Sequence, residues 1–235
     1  MKSVLFVILA LLLFPFGPSQ AKDELPVLQL LTNNAAPYSY LGADGKVTGT
    51  TVKMVQKYME DVGLKYTINL VDWTAAFKRA KQRTATMIFP LDRTPEREND
   101  FYWIKPLVTQ EYFLYSRNDP KLNNLTLKEI LAGDYKAGCS ANTSMCEMLK
   151  GLGFPEDRII VDSHFNIPTR NTLMLKGQFD FTAFDPNIYA TRAKEYNLDV
   201  TLITRRFKIG EIGAYIAAGK NLDPKILKRL QNTLN

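Results

Sequence analysis

Short apolar runs alternate with helical segments along this chain, and that order constrains its fold more than any other feature. Residues 27–31, 66–71 and 86–89 have the composition of strands. Residues 51–62 and 74–83 lie between them and repeat apolar side chains at helical spacing. A β-α-β-α-β order favours a parallel sheet with right-handed crossovers, so the sequence predicts an α/β fold.

The same alternation repeats in the second half of the sequence. It predicts strands at 112–116, 136–140, 159–161, 179–184, 200–203 and 214–218, and helices at 144–152, at 169–176 and after Asp185-Pro186 and Asp223-Pro224. Two similar units in one chain indicate two lobes with a cleft between them. We expect residues 22–116 to form the first lobe, residues 117–207 the second, and residues 208–235 to return to the first.

The N-terminus has the pattern of an export signal. A short basic segment, Met1-Lys2-Ser3, precedes a nearly continuous apolar run at 4–16, and Ser19-Gln20-Ala21 supplies small residues for cleavage. Residues 1–21 are therefore predicted to be a signal peptide, with the mature chain in the periplasm. An uncleaved membrane anchor is the alternative.

Charge and rare residues narrow the classes of function. Lysine and arginine number 30 against 24 acidic residues, and the net charge of +6 is dispersed along the chain. This pattern lacks the aromatic-interleaved basic tract of a nucleic-acid site, and we expect no nucleic-acid partner. A single histidine, His164, argues against most metal sites and catalytic triads.

We predict a monomer with no cofactor.

Two cysteines, Cys139 and Cys146, remain in the predicted mature chain. An even count in an exported protein favours a disulfide between them. Two buried thiols are the alternative.

Residues 87–103 carry the strongest signal for a binding site. An apolar run is followed by a polar loop that contains Arg97. Because open α/β folds bind small ligands where strands end, we expect Arg97 to lie at a cleft. Its planar guanidinium matches the two oxygens of a carboxylate. The alternative is a surface arginine that pairs with Glu96 or Glu98.

Several short motifs occur in an order that suggests a family. They are Pro37-Tyr38-Ser39-Tyr40, Asp44-Gly45-Lys46-Val47-Thr48-Gly49, Trp73, Thr94-Pro95-Glu96-Arg97, Asn142-Thr143-Ser144 and the segment 179–185. In these features the sequence resembles the type II periplasmic solute-binding proteins of polar amino-acid ABC transporters, family 3 of the bacterial extracellular solute-binding proteins. The resemblance implies two lobes, each a mostly parallel sheet flanked by helices, with the ligand cleft between them.

The resemblance also implies roles for individual residues. Arg97 would hold the ligand α-carboxylate, and the Thr94 hydroxyl would either assist it or cap the following turn. Asp185 would accept the α-ammonium, with capping of the next helix as a compatible role. Tyr38 and Trp73 would flank the ligand, although each is also a common core residue.

Three further residues complete the predicted site. Asp92 replaces the threonine usual in relatives, and it is expected either to pair with Arg93 or to accept an ammonium group of an unusual ligand. Thr143 begins a helix and would add hydroxyl and backbone N–H groups to the carboxylate site, or simply cap that helix. Asn33, with Asn34, follows the first strand and would line the cleft.

The expected function is capture of an amino acid or similar small solute by hinge closure, for delivery to an ABC permease in the inner membrane. We do not expect an enzyme. The alternatives are a periplasmic dehydratase on the same fold, in which Asp92 serves as general acid or base, and a binding protein that presents its ligand to a receptor.

Overall fold

A computed structural model of the chain describes residues 25–233, and the predicted signal peptide at 1–21 lies outside this part. The strands are β1 (Leu28–Thr32), β2 (Tyr40–Leu41), β3 (Val47–Thr48), β4 (Tyr66–Leu70), β5 (Thr86–Asp92), β6 (Phe101–Arg117), β7 (Ala137–Ser140), β8 (Ile159–Asp162), β9 (Phe181–Phe184) and β10 (Ile203–Gly219). The helices are α1 (Thr50–Val62), α2 (Trp73–Gln82), α3 (Pro120–Asn123), α4 (Leu127–Ala132), α5 (Ser144–Leu152), α6 (Ile167–Leu175), α7 (Pro186–Glu195) and α8 (Pro224–Asn232).

Eight strands form one hydrogen-bonded sheet in the order β4-β1-β5-β10-β6-β9-β7-β8. The three strands at each end are parallel to one another, whereas β10 and β6 in the middle are antiparallel to each other and to their outer neighbours. The predicted α/β class with mostly parallel strands is confirmed. We call the parts on either side of the β6–β10 pair the first lobe, with β1, β4 and β5, and the second lobe, with β7, β8 and β9.

The first lobe is covered with helices on both faces of its strands. Side chains alternate along β1, so Leu28 and Leu30 pack toward α1 and α8, while Leu31 faces the opposite way toward α2. Both faces are buried, as expected for parallel strands. The C-terminal helix α8 contributes Ile226 and Leu230 to this core, so the end of the described chain packs on the first lobe.

The second lobe has its own two apolar clusters. Phe181 lies with α4 and α5 residues in one, and Phe184 packs on Tyr189 of α7 in the other, with ring centroids 4.9 Å apart. The apolar clusters of the two lobes have no buried residue in common. The predicted lobe bounds, 22–116 with 208–235 and 117–207, stay a prediction.

The two long strands differ most from the sequence-based expectation. A strand was expected only at 112–116, but β6 begins at Phe101. Strands were also expected at 200–203 and 214–218, but residues 200–202 form a turn of 3-10 helix, and a single strand, β10, runs from Ile203 to Gly219. Pro106 lies within β6 and has no N–H to donate to the ladder. The register shifts between Ala214 and Tyr215, opposite Pro106, so an irregularity in the pairing accommodates the proline.

Two local predictions concern residues near the cleft. Thr74 was expected to cap α2, but Asp72 is the N-cap and its carboxylate accepts a hydrogen bond from the backbone N–H of Ala75 at 3.0 Å. A disulfide joins Cys139 and Cys146, whose Cα atoms lie 5.4 Å apart, so the prediction of a disulfide is confirmed. The bond ties the end of β7 to the first turn of α5.

Candidate functional site

A cavity of about 550 Å³ lies between the two lobes where β1, β5 and β7 end. This is the carboxyl edge of the parallel strands, where open α/β folds bind ligands. Six of the eight predicted site residues line it: Asn33, Tyr38, Trp73, Asp92, Arg97 and Thr143. Thr94 and Asp185 are buried and do not line it; Asp185 bonds to Tyr38 in its wall, and Thr94 bonds to Glu147, which also pairs with Arg97.

Arg97 is buried, with only 2% of its surface exposed, and it binds a carboxylate of the protein itself. Its Nε and Nη2 donate to one oxygen of Glu147 at 2.9 and 2.7 Å. The hydroxyl of Thr94 donates to the other oxygen. Glu147 lies in the first turn of α5 in the second lobe, so this ion pair crosses the cleft. Neither Glu96 nor Glu98 forms an ion pair with Arg97, which the surface-arginine alternative required.

Asp92 ends β5 and is buried against two hydroxyl groups. Its Oδ2 accepts hydrogen bonds from Tyr112 at 2.7 Å and from Ser144 of the second lobe. Burial raises the pKa of Asp92 above its usual value, although both hydroxyl bonds and the nearby charge of Arg97 act in the opposite direction. The pKa of Tyr112 is raised for the same reason, burial first and then the Asp92 charge.

The suggested pair of Asp92 with Arg93 is wrong. Arg93 instead donates to Glu98 through Nε at 2.8 Å and Nη2 at 2.5 Å, on the surface. Its guanidinium also packs on the ring of Trp103. Successive residues of an extended segment point to opposite sides, so Asp92 faces the cleft while Arg93 faces solvent.

Asp185 divides its two oxygens between two tasks. Oδ1 accepts from the backbone N–H groups of Asn187 and Ile188 and thereby caps α7. Oδ2 accepts from the Tyr38 hydroxyl at 3.1 Å and from the Gln110 amide at 3.3 Å. The Tyr38 bond joins the first lobe to the second. Burial and the Asp185 charge raise the pKa of Tyr38 to about 12, so the hydroxyl stays protonated.

The remaining predicted residues differ in what they contact. The indole N–H of Trp73 donates to the carbonyl of Asn142 at 2.7 Å, another contact between the lobes. The Thr143 hydroxyl bonds back to the carbonyl of Ser140 at 2.6 Å and does not cap α5. The carbonyl of Asn33 accepts a bond from Ser39 at 2.7 Å.

Five residues that bear on the cavity escaped prediction: Gln110, Tyr112, Ser144, Glu147 and Arg170. Ser144 and Glu147 lie in the first turn of a helix. Capping or a favourable interaction with the helix dipole explains such residues as well as a role in binding does. Arg170 lies within α6, where the sequence resembles any polar helix. Their partners are 12 to 75 residues away along the chain, so no local pattern reveals them.

The site offers carboxylates, hydroxyls and guanidinium groups rather than a metal centre. In residues 25–233 there is no group of three or more His, Cys, Asp or Glu side chains placed to hold a metal ion. None of the helices in that range is long and apolar enough to cross a membrane.

Solved structures with this fold are numerous. One is the arginine-, lysine-, histidine-binding protein ArtJ from Geobacillus stearothermophilus, with a TM-score of 0.69 and 18% identity over 89% of this chain and 90% of that one. A histidine kinase sensor domain similar to periplasmic binding proteins has a TM-score of 0.73 and 15% identity, over 91% of this chain and 90% of that one. The ancestral amino-acid-binding protein AncCDT-1, a precursor of cyclohexadienyl dehydratase, has a TM-score of 0.64 and 17% identity, over 88% of this chain and 87% of that one.

Sequence comparison gives the family. No curated protein matches the sequence. The family model for bacterial extracellular solute-binding proteins, family 3, matches residues 28–209, most of the part that the structure describes. Together with the fold and the cleft between the lobes, this match shows that the chain belongs to family 3 of the bacterial extracellular solute-binding proteins.

Proposed function

We propose that this protein captures a small amino-acid-like solute in the cleft between its lobes, with the solute carboxylate bound by Arg97 and Thr94. One observation carries this proposal: the two side chains already hold a carboxylate, that of Glu147. A guanidinium fork beside a hydroxyl is a carboxylate site. The solute would replace Glu147 there.

Two buried acids form the proposed site for the ammonium group of the solute. Asp92 and Asp185 both accept hydroxyl bonds, and within residues 25–233 neither forms an ion pair with a lysine or arginine. Buried carboxylates without a cationic partner are costly, and a ligand ammonium group compensates them. We assign the ammonium position to these acids, reached by displacement of the Tyr38 or Tyr112 hydroxyl.

Ligand capture would proceed through opening and closing of the lobes. The lobes are held together by polar contacts of Glu147, Ser144, Asp185 and Asn142 with the first lobe. They are linked covalently through β6 and β10, which serve as the hinge. Opening exposes the cleft, and a solute that contacts both lobes favours closure.

The closed protein would present its ligand to a membrane partner. The family's extracellular role supports the periplasm as its location and a permease of an ABC importer as that partner. The similar fold of a histidine kinase sensor domain supports a receptor as a second possible partner. Uptake of labelled ligand by cells with and without the gene separates the two, because only the transport role predicts a loss of uptake.

A thermal-shift screen of the mature protein tests the binding function. Amino acids, polyamines and small carboxylates are the probes, and a true ligand raises the melting temperature by mass action. Arg97→Gln should abolish the shift given by carboxylate-bearing ligands. Arg93→Gln, the matched surface control four residues away, should retain it. An Arg97→Gln protein that binds as well as wild type would overturn the carboxylate assignment.

An enzyme on the same scaffold is the second candidate. The buried carboxyl of Asp92 lines the cavity with a raised pKa, which suits a general acid or base. The fold is shared with a precursor of cyclohexadienyl dehydratase, and cyclic carboxylic acids are therefore the substrates to test. Incubation with such an acid, followed by chromatography, distinguishes it, since a binding protein returns the compound unchanged.

A further inference from the structure

Arg170 is a second arginine buried at the cavity, and the proposed function does not use it. It lies in α6 of the second lobe, lines the cavity and is 3% exposed. Its Nη1 donates to the carbonyl of Ala183 at 3.0 Å and to the hydroxyl of Thr182 at 3.2 Å. These contacts fix one end of the guanidinium against β9.

The other edge of the Arg170 guanidinium makes no hydrogen bond to the protein within residues 25–233. Nε is buried without any hydrogen-bond partner, and no hydrogen bond from Nη2 occurs in the described part of the chain. Nε and Nη2 form the side of the fork that meets a carboxylate. Arg97 uses the same two atoms to hold Glu147, so the occupied and the empty fork can be compared within one cleft.

The charge of Arg170 also lacks compensation from the protein. Arg97 pairs with Glu147, and Arg192, which also lines the cavity, pairs with Glu195 at 2.5 Å. No such ion pair forms at Arg170 anywhere in residues 25–233. Its other partners are the sulfur of Met145 and the face of Phe184, whose ring centroid lies 4.2 Å from the guanidinium carbon. Burial lowers the pKa of Arg170 to about 9, which still leaves it charged at neutral pH.

We infer that Arg170 is the binding site for a second carboxylate of the ligand, so that the preferred solute is an acidic, amino-acid-like molecule. This inference rests on the proposed function, which places the first carboxylate at Arg97. A charged arginine buried without an acidic partner is stabilised by an anionic ligand. The Nε–Nη2 edge can donate two hydrogen bonds to a planar carboxylate once a small turn of the side chain exposes Nε, which is buried in this state.

Matched acid and amide probes test the inference. Binding of L-aspartate and L-glutamate is measured by calorimetry against L-asparagine and L-glutamine. Each acid and its amide have nearly the same shape, so a difference reports the charge. We expect at least one acid to bind about tenfold or more tightly than its amide, the effect of one charge-assisted hydrogen bond.

Arg170→Gln should remove this preference while keeping the binding of the amides. Arg206→Gln is the control, because Arg206 is partly buried and donates to backbone carbonyls, at Leu125 for example, but lies outside the cavity. If Arg170→Gln does not fold, Arg170→Lys keeps the charge and loses the fork, and should reduce the preference.

The outcomes separate the two claims. Amides that bind as tightly as the acids in wild type overturn the role of Arg170 and leave the proposed function intact. A preference for acids that persists in the Arg170 variants also overturns it. If no probe binds, and no other amino-acid-like solute binds in the thermal-shift screen, both the inference and the proposed function are wrong.

Discussion

Glu147→Gln is the most informative single substitution in this protein. In the wild type, Glu147 occupies the carboxylate position at Arg97, with 3% of the Arg97 side chain and 22% of the Glu147 side chain exposed. A ligand carboxylate must displace it. The amide keeps the shape of the side chain and removes its charge, so the competition weakens while the helix α5 is undisturbed.

The size of the effect follows from the contacts that change. A hydrogen bond to a charged group contributes about 1.5–3 kcal/mol. If Glu147 stabilises the closed, ligand-free state by roughly 2 kcal/mol, only about 3% of the protein has a vacant carboxylate site. Removal of that competition should tighten ligand binding by up to roughly 30-fold. The ligand-free protein should at the same time melt a few degrees lower.

Calorimetric titration with L-glutamate, together with melting curves without ligand, measures both changes. Glu98→Gln is the matched control, because Glu98 also pairs with an arginine of the polar loop, but on the surface. It should alter neither quantity by more than a small amount. If Glu147→Gln binds no more tightly than wild type, or binds more weakly, Glu147 does not compete with the ligand and the reasoning fails.

Three other changes have expected outcomes. Burial raises the pKa of Asp92 above 3.8, so the stability that its protonation supplies is lost as pH rises through the folded-state pKa. The melting temperature of Asp92→Asn should therefore exceed that of wild type by a margin that grows as pH rises from about 4. A margin that stays constant with pH would contradict this. Trp73→Phe removes the bond to Asn142 across the cleft, which the closed form makes with or without ligand, and should therefore lower the melting temperature of the ligand-free protein by a few degrees, from a loss of about 1 kcal/mol; an unchanged melting temperature would contradict this. Loss of the Cys139–Cys146 disulfide should cost about 2 kcal/mol, measured by denaturant unfolding of the double alanine variant, whereas an unchanged free energy of unfolding would contradict it.

Much of the fold was predictable because it depends on local patterns. The helix α5 was predicted at 144–152 from its apolar spacing and from the glycine after Leu152, and the structure has the same bounds. The helix α7 begins at Pro186 with Asp185 as its N-cap, as the Asp-Pro pair predicts. The length of β6 was not predictable. Pro106 and the polar residues after it break the alternation, and only pairing with β10 keeps this segment extended.

The sequence predicts which residues form the candidate site better than it predicts the contacts that they make. Asp92 ends a buried strand and Arg97 lies in the turn that follows it, which places both at the cleft. Their partners were not predictable, since Glu147 and Ser144 approach from the other lobe some 50 residues later in the chain. A pairing across a cleft depends on the relative placement of two lobes, and sequence spacing carries no information about it.

A crystal structure with a bound ligand tests the central claim most directly. The measured quantity is the distance from Nε and Nη2 of Arg97 to the nearest carboxylate. The account predicts a ligand carboxylate within about 3.2 Å of both atoms, with the Glu147 side chain turned away. A ligand bound elsewhere, with the present contacts of 2.9 and 2.7 Å between Arg97 and Glu147 intact, would contradict it.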